Sequence, residues 1–213
     1  MKTEKVTNYG FSMDVINFKI EILKDDGVYR HIRCSDGTMN MRYDIITYPG
    51  HLVISGDMGC SVFSRVYDMF TFFNNKVEDG INPNYWGEKL VSIGDGTEFS
   101  HDAVENCINK RLDDICSNME DYWNELNDYD KEQNEDIEVF ENEFRDEVKE
   151  YFRECVDESS FMSSIHNFES KIIENLSFCD DYEWIDCSDY DFRYLWQCHA
   201  IVWCIEQYNM TKE

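Results

Sequence analysis

Read along its apolar positions, the chain changes period once. In VINFKIEIL, residues 15–23, Ile16, Phe18, Ile20 and Ile22 recur at every second position, the spacing of a half-buried strand. KDDG follows as a turn signal, and VYRHIRC alternates again through Val28, Ile32 and Cys34. SDG at 35–37 is a second turn and MRYDIITY a third strand; Pro49-Gly50 then turns the chain into HLVISG, a fourth. This strand–turn–strand order predicts an antiparallel sheet of about four strands. Short helices follow. Ser64 is placed to cap one that runs through Phe73, with Asp68 one turn in. Asn82-Pro83 opens another over NYWGEKLVSI, since proline suits the first helical position.

Beyond Gly96 the period lengthens. Val104, Ile108, Leu112, Ile115, Met119, Tyr122 and Leu126 step by three and four. So do Ile137, Phe140, Phe144, Val148, Tyr151 and Cys155, and then Phe161, Ile165, Phe168, Ile172 and Leu176. Each series is the apolar stripe of an amphipathic helix. From Tyr194 to Ile205 only Gln197 and His199 are polar, and a helix apolar on all sides predicts burial on all sides. That helix is expected centrally, between the sheet and the other helices. The fold class is therefore α+β. An N-terminal antiparallel sheet with short helices precedes an acidic bundle of about four helices, and the C-terminal helix is buried.

Composition places the boundary. All ten glycines and both prolines lie at or before Gly96. Residues 1–96 carry 10 Lys and Arg against 13 Asp and Glu, a net of −3. Residues 97–213 carry 9 against 32, a net of −23. So 1–96 reads as a sheet-rich, nearly neutral subdomain and 97–213 as an acidic all-helical one. The buried last helix leaves open that the two share one core.

With 15% aromatic residues the chain has what disordered chains lack, and it is expected to fold. It has no apolar run of 18 residues, and MKTEKVTNYG has no apolar secretion core, so the expected location is the cytoplasm of the cell that makes it. The net charge of −26 disfavours direct binding to nucleic acid or to an anionic membrane. It favours a basic partner.

Candidate chemistry is sparse. The nine cysteines are odd in number and show no C-x-x-C spacing, so they read as reduced, buried small hydrophobes. The zinc set the sequence offers is Cys179, Cys187, Cys198 and His199. No cofactor or metal is expected. PGHLVISGDMG supplies His51 and Asp57, with Arg65 beyond, as a candidate ligand site, because a carboxylate beside an imidazole supports acid–base work. Six residues of strand hold His51 and Asp57 about 20 Å apart, so pairing them needs a bend. The simpler account is a strand entered by Pro-Gly and left by Gly-Asp-Met-Gly, with glycines supplying positive φ. SGDMG and GDGTEFS lack the lysine and spacing of a phosphate loop.

DIITYPGHLVISGDMGCSVFSRVYDMFTFF and the following INPNYWGEKL resemble a family of uncharacterised proteins encoded by tailed phages and prophages. That family shows a Trp/Tyr-Pro-Gly-His/Tyr turn, Gly-Asp-Met-Gly, Phe-x-Arg with a Met-Phe-x-Phe-Phe helix, and a Tyr-Trp-x-Glu-Lys-Leu helix. FRYLWQCHAIVWCIEQY is similar to its Trp-rich ending. The resemblance covers roughly residues 28–90 and 192–208, while 113–158 is more acidic than the family pattern. It implies a phage origin and carries no assigned catalytic residue.

Residues 113–158 hold 19 Asp and Glu against 4 Lys and Arg, a net of −15. Glu143, Glu147, Glu150, Glu154 and Asp157 step by four and three, which puts them on one face of a continuous helix over about 21 Å. A solvated face is the plain account. The sharper one is a rail that imitates a phosphate backbone and meets the Lys and Arg of a DNA-binding groove, with Tyr122, Trp123 and Tyr129 as anchors. Together with the resemblance, this leads us to expect a phage-encoded, non-enzymatic, stoichiometric inhibitor of a host nucleic-acid-binding defence system, of CRISPR-Cas or restriction type. Its partner would be a basic host protein or nucleoprotein complex. The alternatives are a nucleotide-signal binder or degrader working at the glycine-rich sheet ends, and a phage accessory protein docking on a host factor. The sequence sets no oligomeric state.

Overall fold

The computed structural model describes residues 6–74, 80–92, 96–126, 136–174, 176, 178 and 185–212. The chain divides into two compact units: residues 1–97 with 190–213, and residues 98–189. Thr97–Phe99 (β6) and Ser188–Tyr190 (β7) pair as a two-stranded sheet where the chain leaves and re-enters the first unit.

The first unit is built on a five-stranded antiparallel meander, β1 (Lys19–Asp26), β2 (Tyr29–Ser35), β3 (Tyr43–Tyr48), β4 (His51–Gly56) and β5 (Gly59–Ser64), in that order across the sheet. Ile32, Cys34, Tyr43, Ile45, Leu52, Ile54 and Phe63 alternate onto one face and are buried there. Its ends differ from the sequence reading. A helix, α1 (Asn8–Asp14), precedes the sheet, with Thr7 Oγ1 accepting from the Gly10 amide at 3.1 Å. Phe11 and Val15, four apart, are the buried pair there, while Ile16 is 67% exposed and belongs to no strand. At the other end, Ser64 closes β5 and caps no helix. Asp68 caps α2 (Met69–Phe73) instead, accepting from the Phe70 amide at 3.0 Å. The open edge of β5 is covered by residues 89–91, through Ser64 N to Lys89 O and Val91 N to Val62 O. For the same reason the helix opened by Asn82, α3 (Pro83–Gly87), stops well before Ile93.

The last helix, α8 (Phe192–Met210), packs against β1, α1 and α2. Tyr43 donates to Ala200 O at 3.0 Å, Gln197 Nε2 to Met58 O at 2.7 Å, and Trp196 Nε1 to Asp14 Oδ2 at 3.1 Å. Its end is held by an ionic cluster. A bulge between Ile22 and Lys24 shifts the phase of β1, so that Asp25 pairs in register with Arg30, on the face of Ile32. Asp25 accepts from Tyr208 Oη at 2.8 Å and pairs with Lys212, and those bonds hold its carboxyl below the usual range. Arg30 donates two hydrogen bonds of 2.9 Å to Asp68 while stacking on Phe70 and Tyr208.

Among its described residues the second unit holds four helices around its own core: α4 (His101–Cys116), α5 (Met119–Glu125), α6 (Ile137–Phe152) and α7 (Glu158–Asn167). The stripe from Val104 to Leu126 is one in sequence but two in structure, broken at Ser117-Asn118. Phe152 takes the buried place that the stripe gave to Tyr151, and α7 ends before Ile172 and Leu176. Among the described residues no helix is long and apolar enough to cross a membrane.

The Asp68 carboxyl lies below its ordinary value because Arg30 bonds it, with burial opposing and the Phe70 amide assisting. A depressed folded value adds stability that is complete above about pH 4 and lost as pH falls through the folded value. Asp68→Asn keeps the cap and removes the charge. In urea unfolding it should cost about 2 kcal/mol at pH 7, and its difference from the parent should shrink below pH 4. A constant difference would mean the pair carries no charge effect.

Candidate functional site

The glycine-rich stretch is shaped by its backbone. Pro49 and Gly50 form the two-residue loop between Tyr48 and His51, and Gly50 has φ of +81°, the conformation a type II turn demands. At the next hairpin a Cβ on Gly56 would lie 2.1 Å from Arg42 O and 2.6 Å from Tyr43 Cα, so no side chain fits. Asp57 ties that turn to the loop before β3: its Oδ2 accepts from Met41 N at 2.8 Å and its own amide donates to Arg42 O at 3.0 Å.

The three candidate ligand residues are not brought together. His51 opens β4, stacked on Tyr48 at 4.7 Å with Nδ1 3.2 Å from Pro49 O. Arg65 is at the same end, its amide donating to Gly50 O at 3.3 Å and its side chain exposed. Asp57 lies beyond the opposite end of the six-residue strand, about 20 Å away at the rise of an extended chain.

A denser constellation escaped the sequence reading. On the sheet face away from the core, Asp44 of β3 accepts from Arg33 Nε at 3.0 Å and Arg33 Nη2 at 3.1 Å, and lies 2.7 Å from His31 Nε2. Burial would raise the Asp44 carboxyl, but the bonds from Arg33 and His31 prevail and hold it low. Asp44 holds the ionised form, and with its lone pairs committed to neighbours it is a poor base. The only trace in sequence was the odd-numbered polar series Tyr29, His31, Arg33; the partner on β3 came from cross-strand register.

Among the described residues no group of three or more His, Cys, Asp or Glu is placed to hold a metal. Cys187 is buried in the core of the second unit, whereas Cys198 and His199 are buried in that of the first; Cys179 lies outside the described residues. Burial pushes the Cys198 thiol up to about 12 and the His199 imidazole below its ordinary value, so both are neutral core groups.

The acidic residues form no single rail. Glu143, Glu147 and Glu150 share a face of α6, but that helix ends at Phe152. Glu154 follows in a turn, and Asp157 caps α7, accepting from the Ser160 amide at 2.7 Å in a capping box. That box and the burial of Cys155 bend the chain where the spacing alone suggests continuity. Glu147 is half-buried and structural, accepting from Ser170 Oγ at 2.7 Å and Lys171 N at 2.8 Å. Tyr122 and Trp123 are half-buried against the core, Trp123 with its ring 5.6 Å from Phe140, so neither is a free anchor; Tyr129 lies outside the described residues.

The charge nonetheless faces water. Residues 98–189 carry 29 acidic and 7 basic residues, a net of −22. Of the 22 acidic residues described there, 19 are exposed and three, Glu141, Glu147 and Asp189, are half-buried. Comparison with protein-family models, curated proteins and solved structures matched nothing to this chain.

Gly56→Ala tests the backbone account of Gly-Asp-Met-Gly. It should destabilise the first unit by about 3 kcal/mol in urea unfolding, against about 1 kcal/mol for Gly27→Ala, whose positive φ faces open space. Equal losses would refute the close approach at Gly56.

Proposed function

We propose that the protein is a non-enzymatic, stoichiometric inhibitor that binds a basic surface through its second unit. The observation that carries this reading is the exposure of 19 of 22 described acidic side chains in a unit of net −22. Such a field attracts the Lys and Arg groups that proteins aim at phosphates, and speeds their encounter. The resemblance of residues 28–90 and 192–208 to tailed-phage proteins supports a target in host defence, a nucleic-acid-binding complex of restriction or CRISPR-Cas type. Binding would come from distributed charge on the α4 and α6 surfaces and the turn after α6.

The test is capture from a bacterial host lysate at low and high salt, followed by titration of the purified target's nucleic-acid binding. We expect salt-sensitive capture and loss of that binding at one equivalent. Glu143, Glu150 and Glu154 are exposed, and reversing all three to Lys should weaken the complex on the order of a hundredfold without unfolding the chain. Glu147 is left intact because its carboxylate holds Ser170 and Lys171. Unchanged affinity in the triple variant would remove the acidic surface from the mechanism.

A further inference from the structure

The few cations of the second unit are unevenly placed. Lys149 and Arg153, two of its seven, line one cavity of about 340 Å³ together with His101. The cavity lies between the N-terminal half of α4 and the C-terminal end of α6, helices that pack on each other. Helical spacing explains the convergence. His101, Val104 and Ile108 are three and four apart on α4, and Phe152 of α6 and its helical C-cap Arg153 are three and four beyond Lys149. Val104, Ile108 and Phe152 are core residues, so the floor is apolar while the rim is cationic. Glu105 also lines the cavity, one carboxylate against three groups that carry or accept positive charge. The volume falls within the range of small-molecule sites, about 300–1,000 Å³.

Other roles do not account for this placement. A lysine in the last turn of α6 offsets the helix dipole from any side of the helix. Arg153 pairs with Glu150 at 2.7 Å, but both side chains are about 70% exposed, and such pairs contribute little. No hydrogen bond or ion pair engages the Lys149 ammonium among the described residues.

We propose that this cavity binds a small organic anion with an apolar body. Its charged head would sit on Lys149, Arg153 and His101, and its body over Val104, Ile108 and Phe152. The −22 of the unit does not forbid this. At physiological salt the distant carboxylates are screened beyond about 8 Å, so the local cations decide.

Isothermal titration of sodium octanoate into the full chain tests it, with inorganic phosphate as the anion that lacks a body. One equivalent of octanoate should bind, and phosphate roughly tenfold more weakly or not at all. Lys149→Glu with Arg153→Glu should weaken octanoate by at least roughly tenfold. Lys110→Glu with Lys171→Glu, which makes the same change in net charge elsewhere in the unit, should leave it unchanged. Circular dichroism checks the fold, and if the glutamate pair fails to fold, Lys149→Gln with Arg153→Gln puts the same question. Absence of octanoate binding, equal binding of phosphate, or equal loss in both charge pairs would each overturn the proposal.

Discussion

The first unit depends on burying a helix that is almost wholly apolar from Tyr194 to Ile205. Eleven of the nineteen residues of α8 are buried, and the sheet with α1 and α2 supplies the surfaces that bury them. Apolar burial is non-directional and leaves a helix free to slide or rotate. Directional bonds remove that freedom. Tyr43 reaches Ala200, Gln197 reaches Met58, and Tyr208 reaches Asp25, so contacts along the helix set its register on the sheet. The bulge in β1 belongs to the same arrangement, because it turns Asp25 toward the helix end.

The second unit answers the opposite demand. Like charges three or four apart on a helix cost a few tenths of a kcal/mol each. A fully buried phenylalanine contributes about 2 kcal/mol. Phe140, Phe144, Phe152, Phe161, Phe168 and Phe178 are all buried there, so the aromatic core outweighs the repulsion. Arg145 joins α6 to α4 by bonding Glu141 and Asp113. Packing therefore holds the fold, and 19 of the 22 described acids of the unit lie exposed at its surface.

These two solutions bear on function differently. In the first unit, polar groups that looked chemical, such as Asp57 and His199, are committed to a turn or to the core. In the second, 19 of the 22 described acids are exposed, while members such as Glu141, Glu147 and Asp157 bond a neighbouring helix residue, a loop or a helix start. Spacing in sequence could not separate the free acids from the bound ones, since the partners of Glu147 lie more than twenty residues away.

The sequence by itself determined the class of fold, the meander, the amphipathic helices and the buried last helix. All of these follow from apolar period and turn residues, which act over a few positions. Tertiary structure decided what depends on distant chain. It added α1 and β5, whose burial comes from α8 and from cross-strand pairing. It ended α6 at Phe152 and joined Asp44 to His31 and Arg33. It also set His101 beside Lys149 and Arg153, because only the packing of α4 on α6 brings residues that far apart in the chain to one cavity.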